Sequence, residues 1–285
     1  MKKLFLLFLI TGSILQSLSA HPAYGIVVDK YRNIYFADIH HNGRGSIWKL
    51  HSYGKLELLL EDFHAHNVAI DDEGNIYTAH GEGNHIMVRI SRNGIDTLHQ
   101  SWDHHDFFGG NCTYSKGVIY FGNNHYIWQI KDGEKRKFSS HYLEWNQSIY
   151  ADPDGVIYVT DKATKGGSIV RIDQNGGSKV IATNLITKLD DRPVDRYNDV
   201  ILGMTKGCDG SIYAAETAGR RIARINEDGS NETFYQLRDG WTPVGVDFFS
   251  GDAYVLEYHL DENKGPRITR IRENLSKEVI FQYKS

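Results

Sequence analysis

Sulfur is scarce in this chain: of 285 residues, only Cys112 and Cys208 are cysteines. Two cysteines cannot build the disulfide framework of a small secreted scaffold, nor a paired-cysteine metal box. In the repeat register set out below they fall at opposite ends of different units, so both are expected as free thiols. No His-Glu-x-x-His box occurs either, which removes the helical zinc-protease pattern. A formal net charge of −4 and a near-neutral isoelectric point leave no basic surplus for nucleic acid. Long apolar runs are also missing. The longest, Leu4–Ile14, is too short to span a bilayer, so no membrane span is expected. It follows Lys2 and Lys3 and precedes a polar stretch ending at Ala20. That order reads as a cleaved signal peptide over residues 1–20, with a secreted or periplasmic mature protein from His21.

What the sequence has instead is repetition. An Ile-Tyr type pair recurs at Ile34-Tyr35, Ile76-Tyr77, Ile119-Tyr120, Ile157-Tyr158, Ile212-Tyr213 and Ala253-Tyr254, spaced by 42, 43, 38, 55 and 41 residues. Each pair follows a tight-turn signal such as Gly74-Asn75. Each is trailed by a box of the type Ile169-Val-Arg-Ile172, a glycine and a further short apolar stretch. β-Branched and aromatic residues bounded by Gly, Asn and Asp are strand and hairpin signals. Four strands in a period near 42 make one propeller blade. The expected fold is therefore all-β: a six-bladed β-propeller with four antiparallel strands per blade. It fills residues 21–285, with blades at about 25–62, 66–102, 110–140, 147–184, 202–237 and 243–283. Each copy starts with an inner strand and ends with an outer one. The first and last blades should then meet by packing, with no strand exchanged.

Antiparallel alternation puts the start of the first strand and the loop between the second and third strands on one face, here called the top. On that rule His40, His41, His80, His85, His125 and His259 lie in top loops. His64, His66, His104, His105 and His141 lie in the links between blades on the same face, so the top holds eleven of the fourteen histidines. Loops at one end of a rigid scaffold are where sites are built. The plain alternative is that histidine simply suits polar loops.

Two rings sharpen the expectation. Three residues beyond each repeated tyrosine stand Asp38, His80, Asn123, Asp161, Glu216 and Glu257. All can ligate a cation, and all can equally cap strand ends. Nearer the axis come Tyr24, His66, Gly109, Gln147, Leu202 and Pro243, with Asn67, Asn111 and Asn146 beside them. Imidazole, amide and carboxylate groups around a channel mouth suit a divalent metal. Ca²⁺ fits the oxygen ligands, Zn²⁺ the imidazoles. The expected metal ligands are His66, His80, Asp161 and Glu216, and His66, Glu216 and Glu257 are the expected catalytic groups. Trp102, Trp145 and Trp241 in the links offer stacking surfaces. The longest spacing comes from an insertion, Leu185–Ile201, carrying Arg196 and Asn198, expected to fold over the top as a lid. Substrate contacts are expected from Asn67, Trp102, His105, Asn146, Gln147, Arg196 and Asn198.

The repeated pair and box resemble the NHL-repeat and senescence-marker-protein (gluconolactonase-like) group of six-bladed propellers, over residues 25–283. The resemblance implies the fold. It also implies a channel metal held by a Glu, an Asn and an Asp, and an Arg-x-Asn-Asp substrate segment. Asn146 stands where that Asn would, and Arg196-Tyr-Asn-Asp199 looks like the segment. His21-Pro-Ala-Tyr-Gly25 offers no Glu, however, and Gly203 replaces the Asp. The amidating lyase of peptidyl-hydroxyglycine has a similar fold, with zinc-binding histidines at inner-strand starts, and only His66 matches one of them. Two functions follow as expectations. One is a metal-dependent, lactonase-like hydrolase of a small polar or carbohydrate-derived substrate. The other is a non-catalytic propeller presenting its top face to a ligand or partner protein.

Overall fold

The computed structural model describes residues 23–39, 46–80, 83, 85–107, 111–161, 166–189 and 199–283. The proposed signal segment, His21, His40, His41, Gly109, Arg196 and Asn198 lie outside them. Six four-stranded sheets form, each with its strands in sequence order. They run over Ile26–Glu61, Ala69–Gln100, Cys112–Lys137, Asn146–Ala182, Ile201–Gln236 and Trp241–Gln282, and every pairing within them is antiparallel. This is the six-bladed propeller that the repeat spacing predicts.

The repeated tyrosine has a local job. Tyr35, Tyr77 and Tyr213 each donate their hydroxyl to the aspartate of their own bottom turn, at 3.2 Å to Asp29, 2.8 Å to Asp71 and 3.0 Å to Asp209. The same aspartates accept the turn's backbone N–H groups, as Asp71 does from Asn75 and Asp152 from Val156. Asx turns of this kind satisfy groups that a two-strand reversal leaves open. Desolvation pushes the Asp71 carboxyl up, but hydrogen bonds from Asn75 and Tyr77 together outweigh it and hold the group below its ordinary value.

A blade is apolar on both faces of its second strand. Ile34–Asp38, Ile157–Asp161 and Ile212–Glu216 are buried throughout. Burying two faces requires a neighbour on each side, so the core divides into six apolar clusters, one at each blade boundary. The boundary between blades six and one is built like the others. Tyr24, Ile26 and Phe36 pack on Val244, Leu256 and Tyr258, Val28 N–H donates to Asp247 Oδ2 at 2.8 Å, and Tyr258 O–H donates to Asp38 Oδ1 at 3.0 Å. No strand is exchanged across it. Cys112 is buried and Cys208 exposed, and both are free thiols.

The first strands surround a central cavity of about 640 Å³ whose mouth lies among the bottom turns, at Tyr31, Asp72, Lys116 and Pro153. Towards the top it narrows. Tyr24 and Gly25 N–H both bond His66 O at 2.8 Å, and Asn67 reaches across to Cys112 O at 2.9 Å. Gly203 lies so close to blades one and six that a Cβ there would sit 2.7 Å from Tyr24 O and 2.8 Å from Gly245 Cα. The buried Tyr24 ring stands in this constriction, its ionisation suppressed by burial and by the nearby Cys112, with Ser148 opposing the shift.

Candidate functional site

The histidines of the top face divide into two kinds. His85, His125 and His259 each place a ring nitrogen on a main-chain carbonyl of a link: Asp106 O at 2.9 Å, Leu143 O at 2.8 Å and Asp239 O at 2.9 Å. His141 Nδ1 lies 3.0 Å from Ser178 Oγ. These four hold loops in place. The other described ones, His64, His66, His80, His104 and His105, lie on blade two and the links on either side of it. His64 and His66 bring their Nε2 atoms to 3.0 Å, and the His80 ring lies 6.1 Å from that of His64. In the link, Asp103, His104 and His105 place one ligating atom each within 4.8 Å of one another. Among the described residues that is the one group of three such side chains so close together.

The outer ring is put to structural use. Asp161 accepts the backbone N–H of Glu144 and Trp145, both at 3.0 Å. Glu216 accepts from Thr187 Oγ1 at 2.6 Å, Gly219 N–H at 2.9 Å and Arg221 Nε at 3.2 Å. Glu257, fully buried, is bonded by Arg267 Nε, and Arg267 in turn lies 3.7 Å over the Trp241 ring. Burial pushes the Glu257 carboxyl up, and Arg267 works against that shift. Asn123 donates to Asp103 at 2.9 Å and also to Asp106. His80 packs edge-on against Phe63 at 5.3 Å. His66, His80, Asp161 and Glu216 therefore do not form one close group. His66 joins His64, while Asp161 and Glu216 each serve their own blade. Of the three tryptophans, Trp241 is buried and Trp102 is 93% exposed.

Of the remaining expected contacts, His105 and Asn146 do meet. They line a top pocket of about 220 Å³ between blades three and four, with Asn111, Gly122, His125 and Trp145. Gln147 follows Asn146 and keeps a buried, unpaired Oε1. Asn67 adjoins His66 and bridges to Cys112 O and Ile149 O, at 2.9 and 3.4 Å. The His64–His66 pair and the pocket thus connect through Asn67 and the Asn111-Cys112 strand. Of the pocket's lining residues, His105 has its Nδ1 3.1 Å from Asp103 Oδ1. Asp103 is held well below the usual carboxylate range, first by the N–H of His105, then by Asn123, His105 and Lys135. An ionised carboxylate on Nδ1 fixes the tautomer that leaves Nε2 to accept a proton.

Sequence reasoning singled out His66 but missed His64 as its partner. The signal was present in His64-Ala-His66, since residues two apart in extended chain share a side. It also missed the group Asp103-His104-His105 and the role of Asn111, for which no spacing rule was available.

No protein-family model matches the chain, and no curated protein matches its sequence. Solved structures do. The virginiamycin B lyase of Staphylococcus aureus superposes with a TM-score of 0.62 at 21% identity, covering 93% of this chain and 85% of the other. A calcium-binding regucalcin from Agrobacterium tumefaciens gives 0.59 at 15% identity, covering 82% and 81%. A gluconolactonase-family structure gives 0.60 at 13% identity, covering 81% and 84%. The chain shares their six-bladed fold. Its neighbours thus include lyase and lactonase-type propellers as well as a calcium-binding one.

Proposed function

We propose that this chain is an exported, metal-dependent enzyme of the hydrolase or lyase type, acting on a small polar or carbohydrate-derived substrate at the top of blades two to four. The observation that carries the reading is the His64–His66 pair, with Nε2 atoms 3.0 Å apart, linked through Asn67 to the strand whose neighbour Asn111 lines the pocket. Two nitrogens on one tetrahedral ion, each at about 2.1 Å, stand about 3.4 Å apart, so a shift of a few tenths of an ångström lets the pair share a divalent cation. Imidazole ligands favour zinc over calcium, and the rim carboxylates Asp161, Glu216 and Glu257 are engaged in bonds of their own. His64 and His66 would hold the ion. When bound, it polarises a carbonyl or lowers the pKa of a water. His105, oriented by Asp103 at 3.1 Å, supplies the proton-accepting nitrogen. Trp145 and His125 form part of the pocket wall.

The experiment is elemental analysis of the mature protein, purified without chelators or a histidine tag, beside His66→Ala. It is followed by a screen of lactones and sugar esters. One equivalent of zinc, lost in the variant, together with turnover abolished by chelation, supports the enzyme. The use of rim residues as structural caps favours a second reading, a binding propeller whose exposed Trp102 meets a protein partner. Metal-free protein that binds stoichiometrically without turnover would establish that reading and remove the first.

A further inference from the structure

The pocket between blades three and four contains an unusual pair. Asn111, 2% exposed, donates from Nδ2 to Oδ1 of Asn146 across the blade boundary. The other two amide atoms, Asn111 Oδ1 and Asn146 Nδ2, are buried and have no hydrogen-bond partner. Leaving a buried polar group without a partner is costly, and native proteins carry few of them. Exchanging N and O on both side chains leaves the count unchanged, with one acceptor and one donor still open. The surrounding backbone is shaped to allow the pair. Gly122 makes room for it, because a Cβ there would fall on the Asn146 side chain and lie 3.3 Å from Asn111 Nδ2. A bulge interrupts the ladder between Asn146, which stays paired with Asp161, and Ile149, and bulges re-aim side chains.

We propose that this pair is a receptor for a neutral carboxamide whose N–H and C=O point the same way, as in a lactam or a primary amide. Each asparagine already holds a carboxamide, namely the other one. A ligand amide supplies the missing second partner of each: with the Asn111–Asn146 bond kept and a small turn of the two side chains, its N–H reaches Asn111 Oδ1 and its C=O accepts from Asn146 Nδ2. A lactone of the same shape lacks the N–H, and a carboxylate lacks any donor. Either leaves a buried amide atom unpaired, which is how polar sites discriminate strongly between isosteres. The pocket volume, about 220 Å³, suits such a ring. The inference rests on the reading of the top face as a substrate site and narrows that substrate to an amide-bearing molecule.

The test is an NMR titration of the full-length, ¹⁵N-labelled mature protein with 2-pyrrolidinone and with γ-butyrolactone, following the side-chain amide signals. Binding of the lactam about tenfold tighter than the lactone, with shifts at Asn111 and Asn146, is the expected result. Asn146→Asp and Gly122→Ala should each erase the preference, and the backbone spectrum of each reports whether it is folded. Equal binding of the two probes, no binding of the lactam, or a preference that persists in folded Asn146→Asp overturns the proposal. Metal content and turnover are not read in this titration, so its failure leaves the zinc assay standing, and a metal-free protein leaves the titration interpretable.

Discussion

The Nε2 atoms of His64 and His66 lie 3.0 Å apart, whereas His125 spends its Nδ1 on Leu143 O at 2.8 Å. The proposed function makes the first pair ligating and leaves the other histidine holding a loop, and the separation can be measured. His64→Ala and His66→Ala should each lower zinc affinity by at least about tenfold, read by competition with a chromophoric chelator. His125→Ala should leave zinc binding intact and cost about 1 kcal/mol of stability, read by urea unfolding. A loss of zinc in His125→Ala equal to that in His64→Ala would undo the distinction.

Glu257 offers the converse case, a residue whose position predicts catalysis and whose bonds indicate structure. It is fully buried against Arg267. Removing one member of a buried pair costs roughly 3–5 kcal/mol. Glu257→Ala should unfold at markedly lower urea, and Glu257→Gln, which keeps the shape, should lose less. If turnover is found, neither variant should change its rate per folded molecule at low temperature.

Asp247 faces the central cavity, and burial pushes its carboxyl up to about 6, against the N–H groups of Val28 and Phe248 and the Thr205 hydroxyl. The folded value exceeds the unfolded one, near 3.9, so the folded protein holds the proton more tightly. Below about pH 4 both states are protonated and Asp247 costs nothing. As pH rises from there through 6, the folded state must carry the charge and stability falls. Because the carboxyl is accessible from the cavity, the loss should be ~1–2 kcal/mol rather than the full linkage value. Unfolding measured at pH 4.5 and 7.5 should show a smaller drop in Asp247→Asn by that amount. An identical drop in both proteins would contradict it.

Gly203 tests the narrowing of the cavity. Its missing Cβ would meet backbone, at 2.7 Å from Tyr24 O and 2.8 Å from Gly245 Cα, and backbone cannot swing aside. Gly203→Ala should cost ~3 kcal/mol through overpacking. Gly74→Ala in a bottom turn meets nothing within 4 Å and should cost less, through its positive φ of 84° alone. Differential scanning calorimetry ranks the two.

The fold was legible in the sequence because its signals are local and repeated. The tyrosine that fastens the bottom turn in blades one, two and five, as Tyr77 does to Asp71, lies within six residues of its partner, and the Ile-Tyr type pair recurs in all six blades. The site was only half legible. His66 and Asn146 were visible as ligating types at strand starts. What joins Asn146 to Asn111 and Gly122 is the packing of one blade on the next, and no periodicity encodes that. The rim carboxylates misled for the same reason. Their type is right for a metal, but their partners, such as Thr187 for Glu216 and the Trp145 N–H for Asp161, are set by loop paths that the sequence does not announce.

Because each sheet is complete within its own stretch of chain, the ring is mechanically a split washer. Its seam, between blades six and one, is fastened by apolar contact and by side-chain bonds such as Val28 to Asp247 and Tyr258 to Asp38. Pulled by its two ends, the molecule should part there first, and every blade would keep its ladder of main-chain bonds while the circle springs open.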